Sequence, residues 1–403
     1  MSGTGAAPRV AIVAEFYPSR RDPVLGVWAH RQAIAARDAG AEVRVLVLHR
    51  VVPPRAAFAA GPAEAARQFA ERAREPRHQV RDGIEVEYVP FASPPRERSY
   101  ARWGSWAAPS LAIALRRMRR TFDFELVHAH NAVPGGDAVL RARLGVPLVV
   151  SVHGGDVLFT ARRSAAGAAA VRRVFSAARL VLANSHGTAE LALADGAHAM
   201  RVVHLGADLA PAGWARSSVR PPNPTIVTTG HLVARKRHAD VLRALAVLGA
   251  RHPTLRYTII GAGPERVPLE GLAVRLGIAD RVDFVGQLSH EAALERMRRC
   301  TLFVMPSTDE AFGVAYIEAM AAGLPAIGCR GEPGPEEIAA AGDGFVLVPP
   351  GDIERLSQRI DELLSDPHRL REAGQRARES VSRSFTWERC GEQTVAAYAE
   401  AVA

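Results

Sequence analysis

Residues 307–328 read STDEAFGVAYIEAMAAGLPAIG, and the other predicted elements are assigned outward from them. It predicts a loop, a helix and the start of a strand, preceded by an apolar strand over Thr301–Met305. The predicted helix opens at Phe312-Gly313 and ends at Gly323-Leu324-Pro325, because glycine after the last turn followed by proline is a common helix stop. The stretch therefore indicates a strand–loop–helix–strand unit.

Two carboxylates frame this unit. Glu310 stands before the predicted helix and Glu318, eight positions later, lies inside it. That spacing corresponds to roughly 12 Å along a helix axis. Free N–H groups and partial positive charge at a helix N-terminus suit a phosphate or sugar hydroxyls, and the carboxylates can accept hydrogen bonds from such hydroxyls. The alternative is two ordinary surface acids on an amphipathic helix.

The run EAFGVAYIEAMAAGLP (310–325) resembles the E-x7-E signature of GT4, a family of retaining glycosyltransferases also called glycosyltransferase group 1. The resemblance implies that Glu310 contacts the donor sugar and that Glu318 holds the ribose of the nucleotide. It also places Phe312, Gly313 and Val314 in the donor site.

Composition is typical of an ordinary globular protein. The 403 residues suit two domains, and 48% hydrophobic with 23% charged residues excludes wholesale disorder. No apolar run reaches the roughly 18 residues that span a bilayer, and the N-terminal apolar run predicts a first strand rather than a signal peptide. Cys300, Cys329 and Cys390 are widely spaced, which indicates reduced thiols in a cytoplasmic protein and no metal cluster.

The charge balance favours anionic partners. Net charge is +9 and the sequence pI is near 10.2, which suits nucleotides, phospholipid surfaces or nucleic acid. Almost every basic residue is arginine, and the single lysine is Lys236.

The N-terminal half predicts a doubly wound α/β domain, beginning with a strand over Arg9–Val13, a helix over Val27–Ala39 and a strand over Glu42–Leu48. Gly26 precedes that helix. It resembles the glycine-bearing loop that GT4 enzymes place over donor phosphates or acceptor, and the resemblance makes it an acceptor contact; the alternative is a plain βα turn. Residues 53–80 predict an inserted helix or a mobile flap.

Histidines follow two predicted strands of this half. The strand Pro147–Val152 ends in HGGD (153–156), at the edge of the sheet where α/β proteins bind ligands. This resembles the H-G-x-D element of GT4 enzymes, which implies that His153 contacts the donor sugar and Asp156 the acceptor. His130 and Asn131, in the loop predicted after the strand Phe124–His128, are predicted on the acceptor side; a role in stabilising the loop is the alternative.

Residues 96–120 combine clustered arginines with Trp103 and Trp106. Such a stretch can lie at a membrane interface with arginines on lipid phosphates. It can equally line an acceptor groove or form a solvated helix face with buried rings.

The second half begins with a strand over Thr225–Thr229, followed by GHLVARKRH (230–238). Gly230 permits close approach of a ligand, and Arg235 and Lys236 present positive charge just before a predicted helix, Ala239–Ala250. The segment resembles the G-x-L-x-x-x-K motif of GT4 enzymes, with the basic pair on the donor diphosphate. The alternative is two solvated basic residues.

Two further strand ends are predicted at the nucleotide. The strand Tyr257–Ile260 leads into Gly261 and Gly263, a pair too short for a dinucleotide fingerprint and predicted to shape the edge of the pocket. Val282–Val285 leads into Gly286 and Leu288, where the resemblance places the base.

The resemblance implies the GT-B fold, two Rossmann-like doubly wound α/β domains facing across a cleft. The predicted domains are 1–208 on the acceptor side, completed by the closing helix 385–403, and 225–384 on the nucleotide-sugar side. Residues 209–224, rich in proline, predict the linker.

The resemblance implies a retaining hexosyltransferase, and no cofactor is expected. No D-x-D triplet occurs, so diphosphate charge is assigned to Arg235, Lys236 and helix N-termini, with Glu310 and His153 completing the catalytic set and no metal ion expected. The resemblance implies that the leaving phosphate deprotonates an acceptor attacking from the same face.

The expected partners are a UDP-, GDP- or ADP-sugar and a saccharide or lipid-linked acceptor, including a cell-envelope saccharide. The expected location is cytoplasmic, with peripheral contact at the inner face of an anionic membrane as an option. A GT-B nucleotide-sugar epimerase or phosphorylase is one alternative. A basic nucleic-acid- or membrane-binding protein is another, although no nucleic-acid motif is present and no nucleic-acid partner is expected.

Overall fold

The computed structural model describes residues 7–209 and 223–403. The chain divides into two compact units, Met1–His204 with Trp387–Ala403 and Leu205–Thr386. The sequence-based boundaries fell at 208 and 385, and residues 210–222 of the predicted linker lie outside the described part.

The first unit is built on an eight-stranded sheet with the order β3-β4-β2-β1-β5-β6-β7-β8. All described pairings are parallel except that of β3 with β4. Near-continuous apolar strands such as β1 and β6 form its centre, because a parallel sheet is covered on both faces. The strands are β1 Arg9–Ala14, β2 Glu42–Arg50, β3 His78–Arg81, β4 Ile84–Phe91, β5 Leu126–His130, β6 Leu148–Val152, β7 Leu180–Ala183 and β8 Met200–Val202.

Helices connect these strands and cover both faces of the sheet. Residues 53–80, predicted as an inserted helix or a mobile flap, contain two helices and β3. The α-helices described in this unit are Val27–Asp38, Arg55–Ala59, Pro62–Ala73, Arg96–Ser99, Trp103–Arg119, Asp137–Ala142, Ala161–Arg163, Ala165–Ala177, His186–Ala194 and Trp387–Val402.

The C-terminal helix Trp387–Val402 packs against the helix Val27–Asp38. At Gly391 the two backbones approach so closely that a Cβ would lie 2.1 Å from the carbonyl oxygen of Ala35. Gln32 Nε2 donates to Thr394 Oγ1 at 3.1 Å across the same contact. The last helix of the chain is therefore an integral part of the first unit.

The second unit holds a six-stranded parallel sheet with the order β11-β10-β9-β12-β13-β14. Its strands are β9 Thr225–Thr229, β10 Arg256–Ile260, β11 Val282–Gly286, β12 Leu302–Val304, β13 Ala326–Cys329 and β14 Phe345–Val348. Its described α-helices are His238–Val247, Arg266–Arg275, His290–Arg298, Val314–Ala321, Pro333–Ala340, Ile353–Leu364 and Pro367–Ser384.

Each sheet reverses its strand order at one place. In the second unit, the chain leaves β9 towards β10 on one side, and β12 later pairs with the other side of β9. In the first unit the equivalent reversal lies between β1 and β5. Ligands of open α/β sheets bind at the carboxyl ends of the strands beside such a reversal.

Two predicted strands required correction by two residues. The strand predicted over Glu42–Leu48 is β2, which continues to Arg50. The strand predicted over Phe124–His128 is β5, which starts two residues later because its pairing with β1 begins with Leu126 opposite Val10. His130 is therefore the last residue of a buried strand and does not lie in a loop.

Candidate functional site

The predicted diphosphate-binding residues meet the predicted sugar-binding carboxylate at the strand reversal of the second unit. Lys236 follows β9 and Glu310 follows β12, and Lys236 Nζ lies 2.5 Å from Glu310 Oε2. Both side chains are about nine-tenths buried, with 11% and 10% exposed. Arg235 Nη1 lies 3.7 Å from the same oxygen, on a half-exposed side chain. Three residues chosen from the sequence thus form one charged cluster.

The cluster keeps Glu310 ionised. Burial opposes its negative charge, but Lys236 and then Arg235 stabilise that charge, and the pKa of Glu310 is lowered. Ser307 Oγ donates a further hydrogen bond to Glu310 Oε2 at 2.9 Å. The Tyr316 hydroxyl lies 2.9 Å from Ser307 Oγ and donates to the carbonyl of Met305. The carboxylate therefore has a fixed position and a fixed charge.

The loop that carries Glu310 is held by an acidic residue that the sequence analysis missed. The Glu332 carboxylate, beyond the end of β13, accepts a hydrogen bond from the backbone N–H of Glu310 at 2.9 Å. Burial raises the pKa of Glu332, and its acidic neighbours Asp309 and Glu310 act in the same direction. The available signal was position, since β13 lies beside β12 and Glu332 follows its carboxyl end.

The helix predicted to open at Phe312-Gly313 begins at Val314, directly after Gly313. Phe312 is 2% exposed and packs edge-on against Phe385 at 5.6 Å between ring centroids, so its ring belongs to the core of the unit. Glu318 lies within the helix, and its carboxylate is 3.5 Å from His290 Nε2. His290 is a second residue near the predicted ribose contact that the sequence analysis did not select.

The predicted glycines line the ends of three neighbouring strands. The N–H of Gly230 after β9 donates to Ile260 of β10, and the N–H of Gly261 donates to the carbonyl of Gly286 at the end of β11. Gly261 has φ +142°, and a Cβ there would lie 2.0 Å from the carbonyl oxygen of Gly230. Only glycine fits at position 261, because the two loops touch through their backbones.

Two further predicted donor-site residues lie beside these glycines. A Cβ on Gly263 would lie 2.3 Å from the carbonyl oxygen of Leu232, so this glycine also permits a close approach between the two loops. Leu288, two residues after Gly286, is half-buried.

In the first unit, three histidines lie together on β5 and at the end of β6. His130 Nδ1 and His153 Nε2 are 2.9 Å apart, and the two rings stack at 5.2 Å and 7°. His128 is fully buried between the Tyr398 hydroxyl at 2.8 Å and Ser151 Oγ at 2.7 Å.

Burial makes these histidines neutral. It lowers the pKa of His153 to about 4 and that of His128 to about 3, and it lowers the pKa of His130 well below its ordinary value. His153 therefore offers a neutral imidazole at physiological pH. In the stacked pair, the ring nitrogens His130 Nε2 and His153 Nδ1 are buried without a hydrogen-bond partner in the structure.

The other residues predicted to contact the acceptor each have a role in the local backbone structure. Asp156 is 1% exposed and accepts hydrogen bonds from the backbone N–H groups of Ala132 at 2.9 Å and Val133 at 3.2 Å. Burial raises its pKa to about 7. Asn131 begins the turn that Asp156 anchors, with φ +70°. Gly26 has φ +77°, and a Cβ there would lie 2.2 Å from the backbone of Phe16.

Glu15 is a candidate site residue that the sequence analysis did not select. It follows β1 beside the strand reversal, with 7% of its side chain exposed. Arg96 Nη1 lies 2.7 Å from one carboxylate oxygen, and the Tyr100 hydroxyl donates to the other at 2.6 Å. Burial raises the pKa of Glu15. Its position after the first strand was the signal available in the sequence.

Comparison with known proteins agrees with this architecture. Residues 25–211 match the family described as Glycosyltransferase Family 4, and residues 215–380 match Glycosyl transferases group 1. The chain is 22% identical to sucrose-phosphate synthase (tll1590) from Thermosynechococcus elongatus, with a TM-score of 0.77 over 97% of this chain and 98% of that one. It is 21% identical to Anabaena Alr3699/HepE in complex with UDP-glucose, with a TM-score of 0.70 over 96% and 98%.

Similar proteins with assigned functions also include glycosyltransferases. The chain is 30% identical to the MMP alpha-(1->4)-mannosyltransferase of Mycolicibacterium hassiacum, over 76% of this chain and 79% of that protein. It is also 30% identical to D-inositol 3-phosphate glycosyltransferase 1 of Catenulispora acidiphila, over 84% and 89%. A match to Exopolysaccharide phosphotransferase SCO2592 of Streptomyces coelicolor is 38% identical over 40% of this chain, but the chain spans 17% of that protein.

Fold and similarity together define an enzyme that transfers glycosyl groups and has the GT-B fold. The chain belongs to glycosyltransferase family 4, within the group 1 glycosyltransferases. The alternatives of an epimerase or phosphorylase, and of a nucleic-acid-binding protein, are not favoured. Among the described residues, no helix is both long and apolar enough to cross a membrane.

Proposed function

We propose that the enzyme moves a sugar from a nucleotide sugar to a hydroxyl of a saccharide or glycolipid acceptor, with retention of configuration and without a metal ion. The observation that carries this proposal is the buried cluster of Lys236, Arg235 and Glu310 at the strand reversal of the second unit. Relatives whose names describe mannosyl and other glycosyl transfer support the reaction class.

Lys236 and Arg235 supply the charge that a leaving diphosphate needs. The ammonium of Lys236 uses one N–H on Glu310, which leaves two donors for phosphate oxygens. A guanidinium adds planar, paired donors at the same edge. Two fixed cations in a partly dry site stabilise developing negative charge, which is the role that a bound metal ion has in other transferases. The proposed metal independence rests on Lys236 and Arg235 taking the place of that metal ion.

Glu310 provides the complementary recognition of the sugar. Its carboxylate stays charged because Lys236 and Arg235 outweigh the cost of burial, so it acts as an acceptor for sugar hydroxyls and not as a proton donor. The neutral imidazole of His153 can donate or accept one hydrogen bond. Neither residue is arranged as a strong general base.

The lack of a strong general base among Glu310 and His153 favours attack by the acceptor from the face that the diphosphate leaves. The acceptor oxygen bonds to the anomeric carbon as the bond from that carbon to the phosphate oxygen breaks, and the acceptor proton passes to the departing phosphate. Charge is then conserved within the substrates, and the protein contributes position and electrostatic stabilisation.

The donor is tested by thermal shift with UDP-, GDP- and ADP-sugars in EDTA. We expect one nucleotide series to raise the melting temperature of the wild type, and the effect to be lost in Lys236→Met and Glu318→Ala. The anomeric configuration of the product, read by NMR, tests retention. An inverted product, or a shift that appears only when a divalent cation is restored, overturns the corresponding part of the proposal.

An exposed stripe on the helix Trp103–Arg119 supports peripheral binding to an anionic membrane. Trp106 and Ile113 are seven residues apart, hence on one face, and are 51% and 66% exposed. Arginines flank them, with Arg102 before the stripe and exposed residues 116, 117, 119 and 120 after it. Apolar residues between cations suit the headgroup boundary of the anionic cytoplasmic leaflet.

Vesicle sedimentation tests this surface. We expect the protein to bind vesicles that contain phosphatidylglycerol and to bind neutral phosphatidylcholine vesicles much less. Trp106→Ser with Ile113→Ser should abolish binding, whereas Leu193→Ser, which removes a 50% exposed side chain from another helix of the same unit, should not. Equal binding by both variants refutes the assignment.

A further inference from the structure

Four arginines collect at one half of the carboxyl edge of the first sheet. Arg21 lies in the loop after β1, Arg50 is the last residue of β2 and Arg96 follows β4, while Arg72 lies on the helix Pro62–Ala73. Because β4, β2 and β1 are neighbours in the sheet, their carboxyl ends bring three of these side chains to the same edge. The histidines and Asp156 occupy the other half, on β5 and after β6.

Contacts tie these arginines to one another. Arg72 Nη1 donates to the backbone carbonyl of Arg50 at 3.3 Å. The guanidinium carbons of Arg50 and Arg96 lie 5.1 and 5.5 Å from the ring centroid of Trp103, so two guanidinium groups share one buried indole. Cation–π contact of this kind holds arginines close together without neutralising them.

The loop of Arg21 is fastened to the helix of Arg72. The backbone N–H of Arg20 donates to Glu75 Oε1 at 3.0 Å, three residues beyond Arg72. Arg21 thus lies beside the other arginines. Burial is the larger cause of the lowered pKa of Arg72, and the charge of Arg21 contributes to it.

In the described part of the chain, three of these four arginines lack a carboxylate at ion-pair distance, although Glu97 favours the charged form of Arg50 from farther away. Within residues 7–209 and 223–403, Arg96 pairs with Glu15, and Arg21, Arg50 and Arg72 have no carboxylate within ion-pair distance. Arg50 directs its N–H groups to Ser93 and to the backbone carbonyls of residues 52 and 53. The guanidinium of Arg50 is therefore fixed in place by neutral acceptors.

Arg50 and Arg72 are half-buried cations without an ion-pair partner, which is costly unless an anion completes them, whereas Arg21 and Arg96 are exposed. Burial lowers the pKa of Arg50 against the opposing effect of Glu97, and burial lowers the pKa of Arg72 with added repulsion from Arg21 and Arg50. Arg72 Nε is buried without a hydrogen-bond partner. An arginine fork that is partly dry and lacks a carboxylate matches a phosphate oxygen group in shape and charge.

We propose that Arg21, Arg72 and Arg96 bind a phosphate monoester or phosphodiester group of the acceptor, with Arg50 as a fixed positive charge behind them. The assignment of the anion to the acceptor rests on the proposed function, since the donor diphosphate is assigned to the second unit. The acceptor would then be an anionic molecule, either a soluble sugar phosphate or a phospholipid headgroup.

The test measures binding of inorganic phosphate by calorimetry to the Lys236→Met protein, in which the donor diphosphate site is disabled. We expect one saturable site. Arg72→Gln, introduced into this protein, should weaken binding about tenfold or more, as expected for loss of a charge-assisted hydrogen bond. Arg21→Gln, a loop substitution that leaves the packing intact, should weaken binding in the same direction.

Arg179→Gln is the matched control, because Arg179 is exposed and precedes β7 at the opposite edge of the same sheet. Binding that is unsaturable, or equally weak in all variants, overturns the proposal. Competition identifies the source of the anion. Displacement by glucose 6-phosphate indicates a soluble acceptor, displacement by phosphatidylinositol vesicles indicates a lipid, and displacement by neither removes the acceptor assignment.

Failure of the proposed function is separable from failure of this site. The nucleotide-sugar thermal shift is measured on Arg72→Gln with Lys236 intact. Retention of that shift with loss of phosphate binding supports both proposals. Absence of the shift from the wild type counts against the donor site and leaves the phosphate result to be judged by itself.

Discussion

Substitution of Lys236 by methionine leaves Glu310 as a buried carboxylate without its main counter-charge. In the wild type, Lys236 and Arg235 overcome the effect of burial and lower the pKa of Glu310. A carboxyl group with a lowered folded-state pKa adds stability above its unfolded pKa, near the ordinary value of 4.5, and this stability is lost as the pH falls through the folded value. In Lys236→Met, burial dominates instead, so the deficit should be larger at pH 7 than at pH 4.5.

The expected magnitude follows from the contacts. Removing one partner of a buried ion pair costs about 3–5 kcal/mol, because the remaining charge stays buried. Ser307 still donates to Glu310 Oε2 at 2.9 Å, and Arg235 remains 3.7 Å away. We therefore expect the lower end of this range, about 3 kcal/mol, which is roughly a 100-fold change in an equilibrium constant.

Hydrogen exchange read by mass spectrometry is the suitable assay. Four of the five tryptophans, at positions 28, 103, 106 and 387, belong to the first unit, so tryptophan fluorescence reports mainly on that unit and not on the one that holds Lys236. Amides of β12 and of the helix Val314–Ala321 should exchange roughly 100-fold faster in Lys236→Met at pH 7.

The double variant Lys236→Met with Glu310→Gln provides the control. It removes both charges, so protection should recover relative to the single variant. Unchanged exchange in Lys236→Met, or no recovery in the double variant, refutes the view that Glu310 is held ionised by Lys236.

Three further outcomes are expected. Gly261→Ala should destabilise the second unit by about 1–3 kcal/mol, seen as a lower melting temperature, because its Cβ would meet the carbonyl of Gly230 at a strained φ. Since burial raises the pKa of Asp156 to about 7, the stability its carboxyl group contributes is present below pH 3.8 and lost as the pH rises through 7. Urea unfolding followed by tryptophan fluorescence should show that Asp156→Asn loses this pH dependence, and an unchanged slope contradicts the assignment. Glu332→Ala should weaken nucleotide-sugar binding about tenfold in calorimetry by releasing the N–H of Glu310, whereas Glu336→Ala, which releases the N–H of Gly331, should not.

Element types followed well from local patterns. The strands around Gly230, Gly261 and Gly286 were predicted within one or two residues, because an apolar run that ends in glycine is a signal contained in a few neighbouring positions. The boundary of β5 was less accurate. Its start is set by pairing with β1, which is 116 positions away at Arg9 and Glu125, and no local pattern contains that information.

For the same reason, only part of the candidate site could be predicted from the sequence. Motif resemblance selected Lys236 and Glu310 separately, but their 2.5 Å contact joins positions 74 residues apart. Glu332 and Glu15 lie outside the recognised motifs, and each acquires a role only through a neighbouring strand. The roles of the predicted site residues towards substrates remain predictions for the experiments described above.

Two α/β units, the kinds and approximate limits of their helices and strands, and a single lysine and E-x7-E pair beside predicted strand ends are readable from the amino-acid order. These features depend on periodicity and on short-range steric preferences. Tertiary structure alone decided which strand ends are neighbours, and hence that Lys236 meets Glu310, that Glu332 holds the loop of Glu310 and that His130 stacks on His153. Strand order decides these contacts because each crossover carries the chain across the sheet, so proximity at the carboxyl edge is independent of separation along the sequence.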